Sequence, residues 1–171
     1  MKKTKLLQWN EYFIGIANQI KLKSKDRNTQ IGVVLVGEDN EIVSTGYNSF
    51  PRGIKDDIEE RQERPEKYFW FEHAETNAII NAARIGVSTK GTVMYMTCDI
   101  PCAACARAII NAGIKTIICN SEPIATGSHW EKEIRRSVVM FVEAGVEVVE
   151  YAWQISENVV YYIVMVLKGE L

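Results

Sequence analysis

The chain has 171 residues, a length that predicts one compact domain, because domains usually hold about 100–200 residues. Its composition is 47% hydrophobic and 25% charged, with only 11 glycines and 4 prolines, which excludes a disordered or collagen-like chain. Twenty Lys and Arg against 22 Asp and Glu leave a formal charge of −2, so no overall positive field would attract a nucleic-acid duplex or an anionic membrane.

Neither end of the chain has the pattern of an export or membrane segment. Met1–Leu7 contains lysines but leads into an amphipathic stretch rather than into the apolar core of a signal peptide. The longest apolar run, Val159–Leu167, has nine residues, whereas a membrane-spanning helix needs about 20. We therefore expect a cytoplasmic protein without a membrane partner, whose four cysteines are reduced thiols or metal ligands rather than disulfides.

The first part of the chain predicts one helix and a hairpin. Apolar residues recur at helical spacing over about Gln8–Lys23, which predicts an amphipathic helix. Ile31–Val36 is almost entirely apolar, as expected for a strand covered on both faces, and the turn Gly37–Asn40 returns the chain into a second strand, Glu41–Gly46. The charged stretch Tyr47–Arg64 has neither helical nor strand periodicity and is predicted to be a long ordered loop.

The middle of the chain predicts helices joined to parallel strands. An Ala- and Ile-rich segment, His73–Arg84, predicts a buried helix that Gly86 closes. Thr92–Thr97 and Lys115–Cys119 predict strands, and Cys102–Ala112 between them predicts a helix. In such a βαβ unit the two strands are parallel.

The last part of the chain adds one helix and two strands. Trp130–Phe141 has helical spacing, Val146–Tyr151 predicts a strand, and Val159–Leu167 predicts a final one. Together the elements predict an α/β fold, a three-layer α/β/α sandwich with one central mixed sheet, in a single domain over residues 1–171.

Two short segments at predicted helix starts carry residues suited to metal binding. Cys102 and Cys105 are three positions apart, so they share one face of a helix and can bind the same ion. His73, at the start of the preceding helix, is the natural third ligand for zinc. Three protein ligands leave the fourth position for water, as in catalytic zinc sites. The partial positive charge of helix N-termini also favours the thiolate forms.

Glu75 follows His73 by two positions and so points in a different direction on the helix. It therefore flanks the ion instead of binding it, and a carboxylate there can take a proton from water and pass it to a substrate. This arrangement matches the H-x-E and P-C-x-x-C signature of zinc nucleobase deaminases. We predict that Glu75 is catalytic and that His73, Cys102 and Cys105 bind zinc.

Each half of this pattern has another explanation when taken alone. A C-x-x-C motif is also typical of a redox pair, and a lone histidine is more often a core or surface residue than a ligand. The combination, in this order and at two helix starts, favours zinc. Cys98 and Cys119 lie at predicted strand ends, where we expect small buried residues, although Cys98 as a fourth ligand would close the site.

Several longer segments match one known family. They are Trp9–Ala17, Ser24–Gly32, Gly46–Gly53, His73–Ile80 and Pro101–Lys115. With these segments the chain resembles the deoxycytidylate (dCMP) deaminases of the cytidine deaminase-like superfamily. The His and Cys motifs are typical of the superfamily, whereas SKDRNTQIG and GYNSFPRG point to its nucleotide-using branch. The match is looser after about Asn120.

The resemblance implies a reaction and a set of substrate contacts. It implies hydrolysis of dCMP to dUMP and ammonia, with Glu75 moving protons between water, N3 and the leaving amine. It also implies that Asn48 contacts the sugar, the alternative being a turn residue stabilised by its own side chain. The backbone from Thr97 through Pro101 to Cys102 is expected to recognise the exocyclic amine.

Basic loop residues are candidates for binding the phosphate. Lys25, Arg27 and Arg52 could form a phosphate pocket, since an arginine fork suits phosphate, and solvated loop charges are the alternative. His129 and Trp130 could stack on or cover the base, but we expect Trp130 to be the first core contact of its helix.

Other functions stay open at the level of the sequence. A related deaminase could act on dCTP, or on tRNA adenosine, but a slightly acidic chain lacks the basic surface that tRNA requires. A noncatalytic zinc-stabilised binding module is the alternative of a different class, and Glu75 argues against it.

The resemblance further implies partners and regulation. It implies a homo-oligomer, often a hexamer, with activation by dCTP and inhibition by dTTP at a separate site that uses Mg²⁺. We expect one zinc ion per chain, because His129 is the only histidine besides His73. No nucleic-acid partner is expected.

Overall fold

A mixed five-stranded sheet forms the middle of the protein. The structure is a computed structural model that describes residues 8–119 and 129–150. The strands are β1 (Gly32–Val36), β2 (Ile42–Tyr47), β3 (Val93–Met96), β4 (Thr116–Cys119) and β5 (Glu147–Glu150). Their order in the sheet is β2-β1-β3-β4-β5. β1 is antiparallel to both of its neighbours, whereas β3, β4 and β5 are parallel to one another.

Helices cover both faces of this sheet. Within the described ranges they are α1 (Trp9–Ile20), α2 (Lys67–Trp70), α3 (Ala74–Ile85), α4 (Ala103–Asn111) and α5 (His129–Ala144). α1 packs on one face through Phe13 and Ala17. α3, α4 and α5 contribute to the larger core on the other face. The predicted α/β/α layering is therefore confirmed.

The residues of β1 show why this strand is apolar at every position. Val33 and Leu35 belong to the larger core, whereas Val34 and Val36 belong to the core beneath α1. Successive side chains of a strand point to opposite faces, so a strand covered on both faces needs a continuous apolar run. All of β1 is buried, as the sequence pattern predicts.

Close packing of α3 on β2 positions the residues at the start of that helix. A Cβ atom at position 46 would overlap the backbone of Ala74 and Ala78, so α3 can lie this close to β2 only because Gly46 has no side chain. α3 ends at Ile85 and is capped by Gly86, whose φ of 74° is in the left-handed region that glycine adopts without steric cost. The first turn of α3 is thus fixed against the sheet.

Most predicted elements are confirmed, with ends that differ by a few residues. The hairpin forms, and the strands of the βαβ unit are parallel. The first helix ends at Ile20 and continues as a 3-10 turn over Lys21–Lys23. The predicted loop 47–64 contains a 3-10 helix, Glu59–Gln62, and α2 after it is a separate short helix that the aromatic pattern did not predict. The predicted strand Val159–Leu167 lies outside the described residues.

A helix needs about 20 mostly apolar residues to cross a membrane. In residues 8–119 and 129–150, no helix is both long enough and apolar enough to cross a membrane.

Candidate active site

Three potential metal ligands meet where α3 and α4 begin. His73 precedes the first residue of α3, Cys102 precedes the first residue of α4, and Cys105 lies in the first turn of α4. Nδ1 of His73 lies 3.5 Å from Sγ of Cys102 and 3.3 Å from Sγ of Cys105. Two ligands of a tetrahedral zinc ion lie about 3.6 Å apart at ordinary Zn–N and Zn–S bond lengths. The three side chains therefore fit one zinc ion.

The protonation of these side chains also favours a cation. A hydrogen bond from the Cys105 thiol lowers the pKa of Cys102 to about 4, and the hydrogen bond with Cys102 raises the pKa of His73 to about 9. Donation to Cys102 raises the pKa of the Cys105 thiol. A divalent cation binds an imidazole and two thiolates only when their protons are released, so metal binding at this group is linked to its protonation.

Glu75 lies beside this group and is almost completely buried. Its exposed fraction is 3%, and its Oε2 has no hydrogen-bond partner, which is true of no other buried side-chain N or O atom described in residues 8–119 and 130–149. Burial raises the pKa of the Glu75 carboxyl, because a poorly solvated environment disfavours the charged form. A buried oxygen without a partner is costly unless a ligand or a water molecule meets it. The atom is suited to exchange a proton with a bound ligand.

A cavity of about 680 Å³ opens beside these residues, and His73, Glu75 and Cys102 form part of its lining. Its volume is in the range of small-molecule pockets, about 300–1,000 Å³. Segments far apart in the sequence supply the rest of the lining, which includes Lys21, Asp26, Thr29, Asn48, Arg64, Lys67, Phe71, Thr97, Asp99, Pro101 and Trp130. The metal-capable group therefore faces a space large enough for a nucleotide.

Asn48 lines the cavity, but most of its amide group is already engaged. Nδ2 donates to Oδ2 of Asp26 at 3.2 Å and to the carbonyl oxygen of Thr29 at 2.7 Å. Oδ1 accepts the N–H of Ile31 at 2.8 Å. An amide oxygen has two lone pairs, so one acceptor position remains for a ligand.

Thr97 and Pro101, the other predicted contacts, also line the cavity. The backbone of Thr97 donates to the carbonyl oxygen of Gly32 at 3.1 Å, and its Oγ1 accepts the N–H of Gly32 at 3.0 Å. These bonds anchor the end of β3 to the start of β1. The segment that leads to Cys102 is therefore held in a defined position at the cavity.

The three basic residues predicted to bind phosphate do not line the cavity. They make other contacts: Lys25 with Asp56, Arg27 with Glu59, and Arg52 with Asn81. Each partner comes from a segment far along the chain, and such pairing cannot be read from the basic loop alone. The structure therefore does not bring these three residues together in the cavity lining, and their role in phosphate binding stays a prediction.

Three other basic side chains line the cavity, and the sequence analysis did not identify them as site residues. They are Lys21, Arg64 and Lys67. Lys67 is only 7% exposed, and its Nζ lies 2.6 Å from Oδ2 of Asp26. In the sequence Lys67 stands in a charged stretch after Pro65, where solvated side chains are expected, so no local signal marks it.

Trp130 is 38% exposed and lines the cavity together with Ile134. We predicted Trp130 as the first core contact of α5, and the first residue of α5 that belongs to the buried core is Ile134. The first turn of α5 faces the cavity, and a large ring there borders open space. The side chain of His129 lies outside the described part of the chain.

The two remaining cysteines differ in their surroundings. Cys119 is fully buried in the core, as predicted. Cys98 is half-buried and lines the cavity, but it is not a member of the group formed by His73, Cys102 and Cys105. Among the described residues, this group therefore provides three ligands.

Comparison with known proteins agrees with this geometry. The family model described as "Cytidine and deoxycytidylate deaminase zinc-binding region" matches residues 7–121. A human deoxycytidylate deaminase is 37% identical over 150 residues, which cover 85% of this chain and 80% of the relative. A mouse deoxycytidylate deaminase is 35% identical over 164 residues, covering 93% and 88% of the two chains.

A solved structure supports the same fold. The dCMP deaminase from cyanophage S-TIM5, in complex with dCMP and dUMP, superposes with a TM-score of 0.66 at 22% identity, covering 86% of this chain and 100% of the other. The family match includes all three potential zinc ligands and Glu75. With this match, this fold and a His-Cys-Cys group at two helix starts, the chain belongs to the zinc-binding cytidine and deoxycytidylate deaminase family.

Proposed function

We propose that this protein catalyses the zinc-dependent hydrolytic deamination of dCMP to dUMP and ammonia, a reaction that supplies dUMP for thymidylate synthesis. The observation that carries the proposal is the position of Glu75, whose buried and unpartnered Oε2 lies beside the His-Cys-Cys group at a nucleotide-sized cavity. A purely structural zinc site would need neither the carboxylate nor the cavity.

His73, Cys102 and Cys105 would hold the zinc ion through Nδ1 and the two Sγ atoms. When bound, zinc with an open fourth position lowers the pKa of a water molecule from about 16 to about 7, which makes a nucleophile available at neutral pH. The helix starts that carry His73 and Cys102 keep the three ligand atoms within 4.8 Å of one another.

Glu75 would move both protons of the reaction. Its carboxylate accepts the first proton from the attacking water and donates it to N3 of cytosine while the C4–O bond forms. The second proton passes from the hydroxyl group on C4 through Glu75 to the 4-amino nitrogen. The C–N bond then breaks, ammonia leaves, and C4 keeps its oxygen as the carbonyl group of dUMP.

The predicted contacts to the rest of the substrate are part of this proposal. Asn48 would accept a hydrogen bond from a sugar hydroxyl through the remaining lone pair of Oδ1, since both N–H groups of the amide are engaged. The backbone between Thr97 and Pro101, anchored at Gly32, would contact the exocyclic amine.

Some features are proposed on the resemblance alone. They are a homo-oligomer with a hexamer favoured, and regulation by dCTP and dTTP at a separate Mg²⁺-dependent site. A cytoplasmic location is proposed because two thiolate ligands must stay reduced.

A product assay tests the reaction. Purified protein loaded with zinc is incubated with cytidine, deoxycytidine, dCMP, dCTP, cytosine and a tRNA substrate, and uracil products and ammonia are quantified. We expect dCMP to give the highest kcat/KM. A higher kcat/KM for dCTP would identify dCTP rather than dCMP as the substrate. Zinc binding without turnover of any compound would favour a noncatalytic module.

A further inference from the structure

The cavity lining contains three cations, and only one of them has a carboxylate partner in the described part of the chain. Lys67 pairs with Asp26, whereas Lys21 and Arg64 form no ion pair with the side chains described in residues 8–119 and 130–149. Unpaired positive charge at a cavity raises the local concentration of anions. These two side chains are therefore available to an anionic ligand.

Lys67 is unavailable because its charge is already neutralised. Asp26 accepts Lys67 Nζ and Asn48 Nδ2 with one carboxylate oxygen, and the backbone N–H groups of Asn28 and Thr29 with the other. Lys67 and Asp26 are both more than nine-tenths buried. This saturated pair forms a rigid part of the cavity wall.

Arg64 and Lys21 are more accessible and come from two different segments. Arg64 precedes α2, where its guanidinium carbon lies 5.7 Å from the centre of the Tyr68 ring, close enough for a cation–π contact that limits its motion. Lys21 is the first residue after α1. The other carboxylates of the lining, Glu75 and Asp99, belong to the segments that carry the metal-capable group.

We propose that Arg64 and Lys21 bind the 5′-phosphate of the substrate and make the enzyme select a nucleoside monophosphate over the nucleoside. The inference rests on the proposed function and specifies which residues read the phosphate. A phosphate monoester carries about two negative charges at neutral pH, which two unpaired cations match. Arginine adds a planar fork that donates two parallel hydrogen bonds to phosphate oxygens.

The test measures phosphate recognition with and without turnover. Zinc-loaded wild type, Arg64→Ala and Lys21→Ala are compared by kcat/KM for dCMP and deoxycytidine, and by calorimetric Kd for dUMP and deoxyuridine. Each substitution is expected to weaken dUMP binding by about 10- to 100-fold, the loss typical of one charge-assisted hydrogen bond, while deoxyuridine binding stays constant. We expect Arg64→Lys to recover part of the loss.

Two further variants complete the design. Arg84→Ala removes an exposed arginine in the last turn of α3, outside the cavity lining, and should change neither ligand. Arg27→Ala tests the alternative phosphate contact from the 24–32 loop. Thermal melting checks that all variants fold.

The outcomes separate this inference from the proposed function. Three outcomes would overturn the inference while dCMP deamination stands. The first is unchanged dUMP binding in both Arg64→Ala and Lys21→Ala, and the second is an equal loss of affinity for dUMP and deoxyuridine. The third is a loss of affinity in Arg27→Ala that affects dUMP but not deoxyuridine. If the wild type deaminates neither dCMP nor deoxycytidine, the proposed function fails and the inference fails with it.

Discussion

The cavity has two sides that are built in different ways. The metal corner, defined as His73, Glu75, Cys102 and Cys105, comes from two short segments that each begin a helix. The basic wall, defined as Lys21, Asp26, Arg64 and Lys67, comes from three separate parts of the chain. Spacing within each helix start positions the residues of the metal corner, and the packing of α3 near α4 brings the two halves together, whereas tertiary contacts alone assemble the basic wall.

The two sides also differ in how their polar atoms are satisfied. In the metal corner a buried oxygen of Glu75 is left without a partner, and two thiols and an imidazole share protons. In the basic wall the Asp26 carboxylate accepts four donors. Unsatisfied atoms point to a ligand, and a saturated network points to a rigid frame. The comparison predicts that substitutions in the corner abolish chemistry, whereas those at Lys67 reduce stability.

The largest expected effect follows from removing a zinc ligand. Cys105→Ala leaves two protein ligands, so we expect zinc content to fall from one ion per chain to near zero and turnover to fall below detection. Elemental analysis and a deamination assay measure both. Cys119→Ala, which removes a core thiol away from the group, should keep its zinc. Full zinc retention in Cys105→Ala would remove this residue from the ligand set.

Glu75→Gln separates proton transfer from metal binding. The amide keeps the shape of the side chain but cannot carry the proton, so turnover should fall by about 10²–10⁴ while zinc content stays constant. The experiment measures kcat and the zinc content per chain for wild type and Glu75→Gln. Glu143→Gln alters an exposed carboxylate on α5 and serves as the matched control. Near-normal turnover in Glu75→Gln would exclude this residue from the mechanism.

The smallest of these effects concerns the basic wall. Lys67→Met leaves Asp26 without its cation, and we expect the free energy of unfolding to fall by about 3 kcal/mol, the low end for a broken buried pair, because three other donors remain. Urea denaturation measures it. Lys115→Met breaks an exposed pair of 3.9 Å with Glu38 and should change stability little. Equal effects of the two substitutions would contradict the comparison.

The pH dependence of the stability difference between wild type and Lys67→Met provides a second check on this variant. Burial tends to raise the pKa of Asp26, but hydrogen bonds from Lys67, Thr29 and Asn28 outweigh it, so the pKa lies below its usual 3.8. A carboxyl group whose pKa is lower in the folded than in the unfolded chain stabilises the fold at pH values above its unfolded pKa. This contribution is lost as the pH falls through the folded pKa. The stability difference between wild type and Lys67→Met should therefore shrink below about pH 4.

The same distinction explains how far the sequence alone could go. His73, Glu75, Cys102 and Cys105 follow from spacing within two helix starts, and the apolar run of β1 indicates burial on both faces. These are local patterns with a fixed geometric consequence.

The partners of long charged side chains cannot be predicted in this way. Lys25 and Arg27 stand in a basic loop that resembles a binding loop, yet Asp56 and Glu59 engage them. Lys67 looks solvated in the sequence and is buried in the fold. Charged side chains are long and choose partners by proximity in space, so one sequence does not show which of them stay unpaired.

The distance along the chain between the metal ligands has a thermodynamic consequence. His73 stands 29 residues before Cys102 and 32 before Cys105, on a different helix. An ion held by all three would tie α3 to α4 and close a loop of about 30 residues, much as a covalent bridge does in an oxidised protein. Metal supply would then govern how long the folded molecule survives as well as how fast it works.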